Sequence, residues 1–302
     1  VTIYFAGSEG DALLNGAGFT NNSFYYRSAY SRGALRCEGG KPAVIRFAPV
    51  GTTIWFSCQM NSSSWSSATA KLLEFYFEGN PYLSFWTDST IASQADIKVV
   101  SGGSATDIGT LSTNYQDNDI FKRDFKIVID SSSGVVEVYE DGNLLANLTS
   151  VNTQGDNPGT TFDEVRIFGE GATNCYVSEV IVADEDTRGM SVYTLYPASA
   201  GALAEWSGTV SAIESISANA DSILSASAGE QFLFTHPEDF ALSENIAAVV
   251  LSAKAASDGT GPSRIKALQR YSGTVYEGAS VGVSTPSAYQ FIMPAAPDGG
   301  GW

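Results

Sequence analysis

Apolar and polar positions alternate in short stretches along most of the chain, and a period of two is the signature of a strand. The pattern predicts strands over residues 2–6, 43–47, 53–60, 71–78, 82–86, 97–100, 125–130, 135–139 and 144–148. Turn chemistry separates several of them. Gly79-Asn80-Pro81 predicts one hairpin, residues 131–134 a second, and Asp141-Gly142 a third. Residues 102–119 read as irregular and polar. Further on, Val165 and Ile167 share a face. From 176 to 183 both faces are apolar: Tyr176, Val180 and Val182 point one way, and Val177, Glu179, Ile181 and Ala183 the other. Such a strand belongs inside a sandwich. It runs into an acidic turn, Asp184-Glu185-Asp186, which is costly to bury. A last strand-like run, 191–196, ends at Pro197.

Beyond residue 201 the chain becomes rich in Ala and Ser and poor in aromatics. Strands are expected at 222–226, 230–235, 246–255, 265–271, 274–277 and 289–293, while β-branched residues and Asn argue against a helix over 213–223. The expected architecture is all-β: a sandwich over 1–190, then a smaller β-sandwich over 191–302. The closing Gly tract and Trp302 predict that further chain follows.

Composition agrees with a many-stranded protein. Hydrophobic residues make up 43% of the 302, and charged residues only 16%. The formal charge of −17 argues against unaided binding to nucleic acid or to an anionic membrane surface. No apolar run is long enough to span a bilayer, and no secretory signal opens the chain. The three cysteines, Cys37, Cys58 and Cys175, lack metal-ligand spacing. They read as buried free thiols, with a Cys37–Cys58 bridge as the alternative.

Candidate chemistry is sparse. A single histidine, His236, supports neither a zinc site nor a Ser–His–Asp arrangement. Glu74 and Glu78 lie four apart on one predicted strand, so they would share the solvent face, opposite Leu73, Phe75 and Phe77. They are the acids a hydrolase would use, although a compact run of alternating acids is absent. No cofactor is expected. For Ca²⁺ the weak candidates are Asp117 and Asp119 in one loop and Asp184 and Asp186 in another. Sugar binding would use aromatics in polar surroundings: Trp65, Tyr115 and Trp86, the last of which also reads as core. Tyr25, Tyr26, Arg27, Tyr30 and Arg32 form an aromatic and arginine stretch, either a half-buried strand or a contact face.

Three segments carry a resemblance. Residues 179–190 (EVIVADEDTRGM), with TLYPASAG at 194–201 and Trp206, resemble a signature of tailed-bacteriophage virion proteins and their prophage homologues. Residues 125–149 resemble the concanavalin A/laminin G-like strand pattern, and residues 2–7 and 24–36 are similar to the opening of the same phage proteins. The resemblance implies a jelly roll followed by a second β-domain. It also implies a non-enzymatic decoration, spike or fibre-type subunit, assembled in the bacterial host cytoplasm. Expected partners are other virion proteins, sister copies in a trimer or other cyclic oligomer, and host-surface polysaccharide. A glycan-active hydrolase on the same jelly roll and a free-standing lectin are the alternatives.

Overall fold

The computed structural model describes residues 1–7, 20–22, 34–37, 42–49, 51–62, 71–87, 94–112, 120–168, 175–212, 222–236, 245–271 and 273–296. The chain divides into two compact units, Val1–Tyr193 and Thr194–Trp302.

The first unit contains fourteen described strands: β1 (Ile3–Gly7), β2 (Thr20–Asn22), β3 (Ala34–Cys37), β4 (Ala43–Arg46), β5 (Thr53–Ser62), β6 (Lys71–Phe77), β7 (Asn80–Thr87), β8 (Gln94–Ser101), β9 (Ser104–Ser112), β10 (Phe121–Val128), β11 (Gly134–Glu140), β12 (Asn143–Val151), β13 (Glu164–Ile167) and β14 (Cys175–Ala183). They build two antiparallel sheets. One has eight strands in the order β12-β11-β10-β5-β14-β3-β2, with β1 also paired to β14; the other has six, β4-β13-β6-β7-β8-β9. The inner faces meet in one apolar core, to which Phe56, Phe125 and Val177 come from the larger sheet and Phe75, Phe85 and Ile167 from the smaller. This is the all-β sandwich that the alternation implied, of the jelly-roll type that the resemblance implied.

Three hairpins close on two-residue turns with positive φ at both central positions: Glu78-Gly79 (48° and 78°), Gly102-Gly103 (55° and 81°) and Asp141-Gly142 (45° and 80°). This is the type I′ geometry that suits the strand twist. The first turn therefore lies one residue earlier than Gly79-Asn80-Pro81 suggested, with Asn80 and Pro81 already in the ladder opposite Phe77 and Tyr76. The second turn corrects the reading of 102–112 as irregular, because β9 pairs with β8 along its length; 113–119 lie outside the described residues. An edge strand carries few apolar residues, and here Leu111 is the one fully buried position, so alternation was faint.

Strand β14 is buried at every residue, but its faces differ from the simple alternation. Glu179 sits at φ 50°, and the pairing with β5 shifts between Ser178 and Ile181. This bulge reverses the parity, so Val177 shares the core face with Val180 and Val182. The three cysteines are buried and unbridged, and Cys37 lies opposite Cys175 rather than paired with Cys58. Residues 191–196 form no strand, although their apolar and polar positions alternate.

The second unit contains β15 (Ser199–Ala204), a 3-10 turn (Val210–Ala212), β16 (Phe232–Thr235), β17 (Val249–Ala255), β18 (Arg264–Tyr271), β19 (Thr274–Gly282) and β20 (Ser287–Met293). Its described strands pair as three two-stranded sheets, β15 with β16, β17 with β20, and β18 with β19. Around 222–226 only a single bridge, Ser207 to Leu224, replaces the expected strand. Among the described residues of this unit, the buried apolar side chains are Val210, Leu233, Ala267, Val283, Phe291 and Ala296.

Candidate functional site

The outer face of the six-stranded sheet is the most chemically structured surface among the described residues. While Leu73, Phe75, Val165 and Ile167 turn inward, the alternate positions of the same strands turn outward. Strand register sets them in three rows. Arg46, Glu164 and Tyr76 are successive partners in the first. Arg166, Glu74, Ser84, Lys98 and Asp107 form the second. Lys71, Trp86 and Asp96 form the third.

The side chains interlock across these rows. Arg46 Nε donates to Glu164 Oε2 at 2.8 Å, and Arg166 Nε donates to the other oxygen of the same carboxylate. The Arg166 guanidinium lies 3.9 Å above the Tyr76 ring. Tyr76 in turn donates to Glu74, whose two oxygens also accept from Lys71 Nζ at 2.8 and 2.9 Å. Burial, and then the hydrogen bond to Glu74, push the Tyr76 phenol well above its usual range. At neutral pH it is a donor, not a base. Lys71 Nζ lies 5.2 Å from the Trp86 ring centre and 5.1 Å from that of Phe168. Trp86 Nε1 donates to Ser84 Oγ at 2.8 Å, which fixes the half-buried indole on the sheet. Beside it Lys98 Nζ bridges Asp107 at 2.6 Å and Asp96 at 3.3 Å.

Trp86 is therefore on the outer face, in polar company, rather than in the core. Glu74 faces outward as expected but is only 1% exposed, roofed by its neighbours instead of solvated. Glu78 does not share its face: it has left the strand in the positive-φ turn and is exposed, with its N–H donated to Asp163 Oδ2 at 3.1 Å. The two acids thus do not form a facing pair. Arg46, Glu164 and Arg166 were missed in the sequence. The available signal was Glu164 and Arg166 alternating with Val165 and Ile167, a charged outer face on a short strand. Trp65, Tyr115, Tyr25, Tyr26, Arg27, Tyr30, Arg32, Asp117 and Asp119 lie outside the described residues.

The acidic turn packs down the opposite sheet. Asp184 Oδ1 accepts the Thr2 N–H at 2.7 Å, and Asp186 holds the Arg188 Nε at 2.9 Å. Arg188 lies 4.4 Å above Tyr139 and 5.7 Å from Trp55. Lys122 Nζ donates to the carbonyls of Thr187, Arg188 and Met190, and Thr187 Oγ1 donates to the buried Asp124 at 2.8 Å. The segment packs over that face through these contacts, with Glu185 and Asp186 exposed. Among the described residues no group of three or more His, Cys, Asp and Glu is placed to hold a metal ion. His236 is exposed, its Nδ1 3.2 Å from the Tyr196 carbonyl oxygen.

The carboxylates of the larger sheet carry a pH prediction. N–H groups of Ser133 and Ser132 hold Asp130 down to about 2, and Arg188 holds Asp186 below the usual carboxylate range. A carboxyl depressed in the folded state stabilises it fully above the unfolded value near 4, and this is lost as pH falls through the folded value. The urea midpoint should stay level from pH 7 to about 5 and fall steadily from about 4 toward 2. Asp130→Asn should flatten the last part of that decline.

No family model and no curated protein sequence matches the chain. Solved structures that resemble it include the endo-β-1,4-glucuronan lyase of the fungus Trichoderma reesei, at 12% identity and a TM-score of 0.46 over 61% of this chain and 96% of that one. The galectin LEC-6 of Caenorhabditis elegans matches at 14% identity and a TM-score of 0.36, over 48% of this chain and 93% of that one. The carbohydrate-binding module CBM66 of Bacillus subtilis matches at 15% identity and a TM-score of 0.34, over 55% and 95% respectively. At these identities and scores the likeness is one of β-architecture and carries nothing about activity.

Proposed function

We propose that this chain is a non-catalytic structural subunit of a phage or phage-like particle, and that it binds host-surface glycan on the outer face of its six-stranded sheet. Trp86 carries the glycan part. An indole held by Ser84 and flanked by Lys71, Lys98, Asp96 and Asp107 offers a stacking surface ringed by hydrogen-bonding groups. That combination suits a pyranose, which has an apolar ring face and polar edges. The particle part rests on the segments at 179–190 and 194–201. The second unit supports assembly with sister copies, since an isolated two-stranded ribbon is marginal in water and the described ribbons bury few apolar side chains. Assembly would take place in the bacterial host cytoplasm.

Binding of the purified chain to host cells and to their extracted surface polysaccharide tests the glycan part. Trp86→Ala should weaken it at least about ten-fold, the scale of losing a central aromatic anchor. Trp86→Phe should keep most of it. Equal binding by wild type and Trp86→Ala would remove the site. Release of new reducing ends by wild type, lost in Glu74→Gln, would overturn the non-catalytic reading. Absence of the chain from purified particles would overturn the structural one.

A further inference from the structure

We infer that the saccharide taken by this face carries a carboxylate, gripped by Arg46 and Arg166 at the β4–β13 end, with a neutral sugar beside it on Trp86. This rests on the glycan reading above and adds the chemical class of the ligand.

The cations of the face differ in how far they are already engaged. Lys71 gives two hydrogen bonds to Glu74, and Lys98 is shared between Asp96 and Asp107. Arg46 and Arg166, by contrast, divide one buried carboxylate, Glu164, and each reaches it through Nε. Among the described residues their terminal nitrogens make no other hydrogen bond. Two guanidinium groups are thus oriented from beneath by one anion, with N–H groups left for a second. A guanidinium donates in a planar fork that matches a carboxylate. The side chain of Arg46 is 56% exposed and sits on β4, an edge of the sheet, so a ligand reaches it from the rim.

The face is also polarised along its rows. At the β4–β13 end two cations meet one carboxylate, and at the β8–β9 end one cation meets two. An anionic group is favoured at the first end and repelled at the second, where Asp107 and Asp96 instead accept from sugar hydroxyls. Strand spacing puts Arg166 about 11 Å from Trp86, so the acid and the stacked ring belong to different sugars. A polymer in which an acidic sugar is set among neutral ones fits this layout better than one that is acidic throughout. The chain's net charge of −17 works against anionic ligands at long range, so the attraction is local to the two guanidinium groups.

The test is equilibrium binding of the full chain to gellan and hyaluronan, in which glucuronate alternates with or is set among neutral sugars. Polygalacturonate, the carboxyl-reduced form of each polymer, dextran and dextran sulfate complete the panel. The expected result is binding to a mixed acidic polymer that weakens about ten-fold on carboxyl reduction or on Arg46→Gln. Arg46→Gln leaves Glu164 bonded to Arg166, so its unfolding midpoint should match wild type and its binding loss is then not a folding loss. Arg46→Lys should recover only part of the affinity. Equal binding of native and carboxyl-reduced polymers, or of dextran, with Trp86→Ala still harmful, overturns the carboxylate and leaves the glycan reading intact. Preference for dextran sulfate overturns the carboxylate in favour of a sulfate. No binding to any of the panel or to host polysaccharide overturns both.

Discussion

Replacing Phe75 with alanine is expected to destabilise the protein by about 3–5 kcal/mol, the largest effect of any single truncation in the first unit. Phe75 is fully buried on β6, the strand that lies between β13 and β7. Its ring is 5.3 Å from Phe162, 5.7 Å from Phe56, 6.3 Å from Phe85 and 6.4 Å from Phe125. Phe56 and Phe125 come from the larger sheet, Phe85 from the smaller and Phe162 from the segment leading into β13, so a hole at Phe75 is walled from both layers and closes only if the sheets approach each other. Strand ladders hold the sheets apart, and most of the cavity penalty should persist. Urea unfolding should show the midpoint falling sharply with Phe75→Ala and by a fraction of that with Phe75→Leu. An equal loss for Phe77→Ala, half-buried at the end of the same strand, would mean that the core is not centred where the rings converge.

Glu74→Ala should cost about 3 kcal/mol, because removing one partner of a buried ion pair strands the other. The substitution takes away the acceptor of the Tyr76 hydroxyl and of two Lys71 hydrogen bonds, and leaves an ammonium between Trp86 and Phe168. Adding Lys71→Met to Glu74→Leu should return much of the loss, since an apolar pair of similar volume needs no desolvation. A double-mutant cycle on the urea midpoint reads this as a coupling of the two sites. Additive losses would mean that Glu74 is held by Tyr76 alone. The double variant would also test the site, because it keeps Trp86 in place while removing the charges beneath it.

Several elements were legible in the chain itself. Asp141-Gly142 announces its hairpin because both central residues of a type I′ turn need positive φ, a local demand met by local residue types. The alternation of Val165 and Ile167 with Glu164 and Arg166 marks a strand with one dry and one charged face. Within the site Trp86 was visible as an aromatic, but not the surroundings that give it a use. Arg46 and Glu164 stand 118 residues apart, and their pairing depends on β4 lying beside β13. A lone arginine in an alternating run does not announce such a partner.

What the amino-acid order determined alone is most of the strands and hairpins and the acidic composition of the chain, since these depend on residues within a turn or a strand of each other. Tertiary structure decided the rest. A single residue at φ 50° in β14 exchanged the two faces of its second half. Sheet pairing made Glu74 a buried anchor while the turn sent Glu78 into solvent. Strand neighbours far apart in sequence gathered two arginines on one carboxylate. Each outcome turns on which strands lie side by side, and in an antiparallel sandwich that choice is non-local, because it balances the whole core against the closure of long loops.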